Sequence, residues 1–414
     1  MKTKSNNLYG LDHAILNVTV PPESMWMNMG YWKNTTLFQG ACQALLDQVL
    51  IMAGLLGQHE SSAVTPTSLS SFIKIIDVGF GCGDQSLYLT RKLHRTMKPS
   101  ENTVALSSID PSNDGDGAPS LTSDHKIHPL FDSYVGINIT PSQVEIAQRR
   151  LLASGDESTL PSPSTQKVEV FLADAGNPAS WDTKLKEAVY SEFTQNTEQN
   201  TQPAMEMQTW LLALDTLYHF KPSRMPLFEC AYKDMQASIM AFDLLMSDNA
   251  SLWDRFRLRL MCLFTGIPYS NFMTKKEYKA MLTLAGYEHS MIEMQDISEH
   301  VFSGIANYIR TKEAELGVYG MTLGKFKAAG NAFGWWATTG VVKGLEYVQE
   351  PSEENSFSAI SHGTSTPRLV ATLIADTTHP SKSTIPSQHQ APTSQTLPFP
   401  LRHNGSVFGN VDSL

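Results

Sequence analysis

The sequence predicts an α/β fold, a parallel sheet with helices on both faces, and three observations carry that prediction. Short apolar runs alternate with segments of helical periodicity. The first of those runs ends in a glycine-rich turn. The long polar stretches fall between such elements and not inside them.

In chain order, residues 1–58 carry Trp26, Tyr31 and Trp32, followed by a helical pattern on Leu37, Ala41, Ala44, Leu45 and Val49. A segment this short is marginal as an independent domain. Its apolar face needs a partner, so it is expected to form a helical lid on the body of the protein. Residues 59–70 are a polar linker, and residues 70–349 form the core. FIKIIDV (72–78) is a buried-strand run that leads through glycines into the helical DQSLYLTRKLHR. SYVGINI (133–139) is the next strand. Its exit, Thr140-Pro141-Ser142-Gln143, has a capping residue, proline at the first helical position and glutamine three residues after the cap. The helix that follows places Val144, Ala147 and Leu151 on one face. KVEVFLA (167–173), WLLAL (210–214) and ASIMAFDLL (237–245) complete the apolar runs. Polar, low-complexity insertions are expected near residues 96–130, 154–166 and 191–206, and a mostly disordered tail over residues 351–414, where only RLVATLIA (368–375) is apolar.

Composition narrows the function classes. The formal net charge of −10, without a dense Lys/Arg cluster, argues against a nucleic-acid substrate. Cys42, Cys82, Cys230 and Cys262 match neither a zinc nor a redox spacing, so reduced thiols in a cytoplasmic protein are expected. No secretory signal and no transmembrane run is evident, and no metal-ligand cluster stands out.

In α/β sheets ligands bind beyond the carboxyl ends of the strands. The first strand ends in Asp77-Val-Gly79-Phe-Gly81-Cys-Gly83-Asp84. Glycines let the backbone turn sharply and approach a ligand. A dinucleotide loop needs GxGxxG, and here Asp84 stands where the third glycine would be. A carboxylate disfavours a pyrophosphate at that turn and favours a cationic ligand. Cys82 has no base beside it in sequence and reads as a small loop residue.

IIDVGFGCGDQSLYL resembles the first motif of class I S-adenosylmethionine (SAM)-dependent methyltransferases. VGINITPSQVEIAQRRL is similar to the sterol, tocopherol and cyclopropane-synthase branch of that family. VFLADAGNP resembles its third motif, WLLALDTLYHF its fourth, MNMGYW (27–32) its N-terminal signature, and GIPYSNFMTKKEYKAMLTLAGYEH (266–289) its late segment. The resemblance spans roughly residues 25–349. It implies a Rossmann-like, seven-stranded, mostly parallel sheet and SAM as cofactor. It assigns cofactor contacts to Tyr31, Asp77, Gly79, Gly81, Gly83, Asn138, Gln143, Asp174, Ala175 and Asp215. Asn138 departs from the acidic residue common at that strand end but can still bond hydroxyls. His219, past a strand end that should face the methyl group, is a candidate proton acceptor, with Tyr218 beside it. Orienting Asp215 or capping a turn is the structural alternative for His219, and packing is that for Tyr218. The implied activity is methyl transfer to a small organic or lipid-like acceptor. A cyclopropane-fatty-acyl-type synthase and an inactive SAM-binding regulator are the alternatives. Trp335 and Trp336 line a substrate pocket, pack a helix or meet a membrane surface.

Overall fold

The computed structural model describes residues 11–57, 72–97, 126–153, 166–191 and 207–349. The linker at 59–70, most of the three insertions and the tail at 351–414 lie outside the described residues.

Among the described residues, nine strands and nine α-helices follow the first 3-10 turn. They are α1 (Phe38–Met52), β1 (Phe72–Val78), α2 (Asp84–Leu87, continued by a π turn), β2 (His94–Met97), β3 (Lys126–Pro129), β4 (Ser133–Asn138), α3 (Pro141–Ala153), β5 (Lys167–Leu172) and α4 (Thr183–Tyr190). Then come β6 (Met207–Leu214), α5 (Met225–Lys233), β7 (Ser238–Met246), α6 (Leu252–Thr265), α7 (Lys275–Ala285), β8 (Ile292–Asp296), α8 (Ser298–Val318), α9 (Lys325–Thr339) and β9 (Val342–Gln349). Seven strands form one sheet in the order β5-β4-β1-β6-β7-β9-β8. All pairings are parallel except those of β9, which runs antiparallel to both β7 and β8. This is the Rossmann-like, mostly parallel sheet that the sequence predicts.

The central strands are apolar on both sides, as a sheet covered twice requires. Along β7, Met240, Phe242, Leu244 and Met246 face one core and Ile239, Ala241 and Leu245 the other. The first core takes side chains from α1, α8 and α9, the second from α4, α5 and α7. Lys74 is the one cation inside β1. Its ammonium donates to the carbonyls of Val189 (2.6 Å) and Ser191 (3.2 Å), and burial lowers its pKa to about 8.

Several elements differ from the sequence reading. The helix after the glycine loop stops at Lys92, and His94–Met97 pair with Lys126–Pro129 as a hairpin. The two ends of the stretch at 96–130 are therefore strand, and residues 98–125 are undescribed. Leu37 is exposed at the start of α1, while Leu45, Leu46, Val49 and Leu50 belong to the main core. α1 thus packs as an integral layer of the domain. Gln143 does not close a capping box: its Oε1 accepts from Asn138 Nδ2, and the Thr140 N–H donates to Asn138 Oδ1.

Candidate active site

The sheet reverses its winding at β1. The chain proceeds from β1 outward to β4 and β5, then crosses back to β6 and β7 on the other side. Helices leave to opposite faces at such a point, which opens a crevice at the strand ends. A cavity of about 400 Å3 lies there. It is walled by the turn after β1 (Gly79–Cys82, Asp84, Gln85), the turn after β4 (Asn138–Thr140, Gln143) and the turn after β6 (Leu214–Thr216, Tyr218, His219). The extended segment Met25–Asn28 completes the wall.

Glycine is required in the first turn for stated reasons. Gly79 and Gly81 have φ of 81° and 66°, a region that L side chains rarely adopt. A Cβ on Gly79 would lie 2.5 Å from Thr216 Oγ1, and one on Gly81 would meet Met27 Sδ at 3.4 Å. Gly83 precedes α2 and packs against Ala147 of α3.

The acids of this loop are not equivalent. Asp77 is fully buried beneath the turn and does not reach the cavity. It accepts hydrogen bonds from Tyr134 Oη (2.8 Å) and Gln85 Nε2 (2.7 Å), and burial raises its pKa to about 7. It shapes the loop from below, and the expected contact with a ligand is not among those the cavity lining offers. Asp84 does line the cavity, but its charge is balanced. Arg150 of α3 donates to both carboxylate oxygens and also to the carbonyls of Cys82 and Glu23. The Met25 N–H adds a third bond to Asp84 (3.0 Å), tying the N-terminal segment to the loop.

Asp215, at the end of β6, sits in the left-handed region with φ of 58°. Its Oδ2 accepts from the Met29 N–H (2.8 Å). Its Oδ1 is buried without a hydrogen-bond partner of normal geometry, although the Tyr218 hydroxyl is close enough to act on the carboxyl. Burial, opposed by Tyr218 and the Met29 N–H, raises the Asp215 pKa to about 7. A carboxylate oxygen without a well-formed hydrogen bond and a left-handed backbone thus coincide at one residue on the cavity wall.

Asn138 reaches the cavity, with its amide engaged by Gln143 (2.9 Å) and Gly81 O (3.4 Å) on one side and by the Thr140 N–H (3.1 Å) on the other. His219 stands exposed at the mouth, stacked obliquely on Tyr218 with ring centroids 4.1 Å apart. Partial desolvation, then the Lys221 charge, lowers its pKa, so the ring is neutral near pH 7. Its turn is clamped by Asn271, whose Nδ2 donates to the carbonyls of Tyr218 (2.9 Å) and Phe220 (2.8 Å). Asn271 is in turn held through its own carbonyl by Arg224, which is ion-paired with Asp243 in the core.

Besides Asp77 and Gly83, three more sequence candidates are not among the lining residues of the cavity. Tyr31 turns toward α8, its ring edge-on to His300 at 5.1 Å. The Asp174 carboxylate closes its own turn by accepting the Gly176 N–H (2.8 Å), and buried Ala175 lies beside it. The lining residues that the sequence reading missed include Met25, Met27, Asn28, Phe80, Gln85, Ile139, Leu214 and Thr216. The NMGYW signature pointed to the correct segment, but its upstream end covers the loop. Trp26 is on the wall, edge-on to Tyr88 at 6.3 Å. Trp336 packs in the core against Phe302, Phe272 and Phe333, so packing is its role. Among the described residues, no group of three or more His, Cys, Asp and Glu could hold a metal, and no helix is long and apolar enough to cross a membrane.

The fold and the cavity define an α/β protein with a cavity at the switch point of its sheet. No protein-family model and no curated protein sequence matches the chain. Solved structures similar to the chain include a mycolic acid cyclopropane synthase (10% identity over 82% of this chain and 95% of that one, TM-score 0.48). A putative sarcosine dimethylglycine methyltransferase from Galdieria sulphuraria is 11% identical over 78% of this chain and 93% of its own, with TM-score 0.47. A cyclopropane synthase from Mycobacterium tuberculosis is 12% identical over 78% and 89%, with TM-score 0.44.

Proposed function

We propose that the chain is a SAM-dependent methyltransferase acting on a small organic or lipid-like acceptor. The observation that supports this reading most directly is the charge of the cavity wall. Asp215 stands on it beside Asp84, whose charge Arg150 balances from outside the wall, and no lysine or arginine is among the lining residues. A pyrophosphate cofactor would find no cation on that wall to pair with. A ligand carrying a sulfonium, an ammonium and ribose hydroxyls would meet Asp215 Oδ1, the aromatic faces of Trp26 and Tyr218, and the amides of Asn138 and Gln143. The cavity volume lies within the ~300–1,000 Å3 common for small-molecule sites.

SAM, when bound, supplies a methyl group activated by its positive sulfur. The chain's share is alignment and exclusion of water. Glycine-turn backbone lets the ligand approach. Met25–Asn28 covers it from the N-terminal side. Neutral His219 at the mouth is placed to accept a proton from an acceptor hydroxyl or amine, held in position by the Asn271 clamp. Asp77, Asp174, Ala175 and Tyr31 act from outside the cavity wall.

Calorimetric titration of the full chain with SAM is the test, with micromolar affinity expected and no binding refuting the reading. Trideuteromethyl SAM with small-molecule and lipid extracts then reports the reaction. Methyl transfer retains all three deuteriums in the product, ring closure on an alkene retains two, and binding without any labelled product marks an inactive regulator.

A further inference from the structure

One face of α6 exposes six large apolar side chains, Leu252, Trp253, Phe256, Leu260, Leu263 and Phe264, each between 43% and 87% exposed. At about 100° per residue they fall within one continuous arc of roughly 120°. Leu258 and Cys262 lie on the opposite side and are buried, so the helix is anchored with its most apolar stripe turned to solvent. Trp253 and Phe256 stack on each other at 5.5 Å.

The charges on this helix are placed, not scattered. Arg257 and Arg259 stand at the two edges of the apolar arc. Their guanidinium groups are held over Trp335 (4.5 Å) and Tyr269 (5.0 Å). The helix has three arginines, counting Arg255, and a single acid, Asp254. Asp254 is half-buried, lies outside the apolar arc, and accepts the Ser251 hydroxyl at the N-cap. None of these residues lines the candidate cavity.

We propose that α6 is an interfacial helix that docks the protein on an anionic lipid surface. Aromatic and leucine side chains would enter the boundary between head groups and acyl chains, while arginines at both edges reach the phosphates. Charge complementarity selects this occupant. A second copy docking through the same face would bring the arginine-edged stripes together with no carboxylate between them. The whole-chain charge of −10 opposes an anionic surface. Beyond about 10 Å that repulsion is screened at ~0.1 M salt, whereas the arginines act at contact. The inference does not rest on methyl transfer.

The test uses the full chain and sedimentation with vesicles of phosphatidylcholine alone or with phosphatidylserine. Binding is expected to the mixed vesicles only, and to fall as salt rises. Trp253→Ser with Phe256→Ser should weaken it about tenfold or more without moving Tm, because both side chains are already in water. Arg257→Gln with Arg259→Gln should remove the preference for phosphatidylserine. Absence of binding to either vesicle, or unchanged binding by the Trp253/Phe256 variant, would overturn the proposal. So would a wild-type dimer that the Trp253/Phe256 variant abolishes, which makes the face self-associating. Binding seen only in a chain ending at Gln349 would assign the face to the tail and overturn it as well.

Discussion

Replacing Arg150 with methionine separates two roles that the Arg150–Asp84 pair combines. Arg150 donates to Asp84 at 2.5 and 3.0 Å and to the Cys82 and Glu23 carbonyls at 3.0 Å each, so one side chain joins α3, the glycine turn and the N-terminal segment. The side chains are 23% and 9% exposed. Removing one partner of a fully buried pair costs about 3–5 kcal/mol. With a quarter of the guanidinium in water, about 2–3 kcal/mol is expected here. The second effect has the opposite sign for ligand. Asp84, left unbalanced on the cavity wall, attracts a cation by about 1–2 kcal/mol at an effective dielectric near 20. SAM carries a sulfonium that its demethylated product lacks. The variant should therefore be less stable, yet prefer SAM over S-adenosylhomocysteine about tenfold more than wild type does. Denaturant melts of Arg150→Met, Asp84→Asn and the double variant give the coupling, and calorimetry gives the two affinities. Coupling below about 0.5 kcal/mol, or an unchanged ratio of affinities, would refute the reasoning.

Gly81→Val places a branched side chain at φ of 66° against Met27, so SAM affinity measured by calorimetry should fall at least about tenfold in a protein that still melts cooperatively. Asn271→Ala frees the carbonyls on both sides of His219 and should lower stability by about 2–4 kcal/mol in denaturant melts. It should also depress kcat more than KM, and a purely structural role would leave that split absent. Asp215, with a pKa near 7, must ionise to pair with a cationic ligand, so SAM affinity should rise as pH increases through 7, and Asp215→Asn should flatten that rise. Asp77 and Glu346 also have pKa values raised by burial to about 7. The folded state keeps these protons where the unfolded state has lost them, so their contribution to stability is full below about pH 4 and falls as pH rises toward 7. Thermal melts from pH 5 to pH 8 should show that decline, and it should be shallower in Asp77→Asn.

The strands that the sequence displayed plainly are those buried on both faces. FIKIIDV matches β1 residue for residue, and the runs ending at Ile139, Ala173, Leu214 and Leu245 fall within a few residues of their strands. Burial on two sides demands continuous apolar side chains, and that pattern is local. The glycine turn was equally legible, because positive φ restricts residue choice at single positions. β8 and β9 were not, since IEMQD and VKGLEYVQ mix polar and apolar residues. Glu346 and Gln349 are buried only because β9 is inserted between β7 and β8.

What the chain could not show by itself is which side chains meet. Asp77, Asp84 and Asp215 look alike as acids beside apolar strands. Tertiary packing puts the first under the loop, pairs the second with an arginine 66 residues away, and leaves one oxygen of the third without a hydrogen bond of normal geometry. The same holds for Tyr31 and Trp26, five residues apart, of which only Trp26 reaches the cavity. Strand and turn propensities act over a few residues, so sequence determined the sheet and the position of its glycine turn. Charge balance and the reach of a side chain depend on neighbours distant in the chain, and these only the folded structure decided.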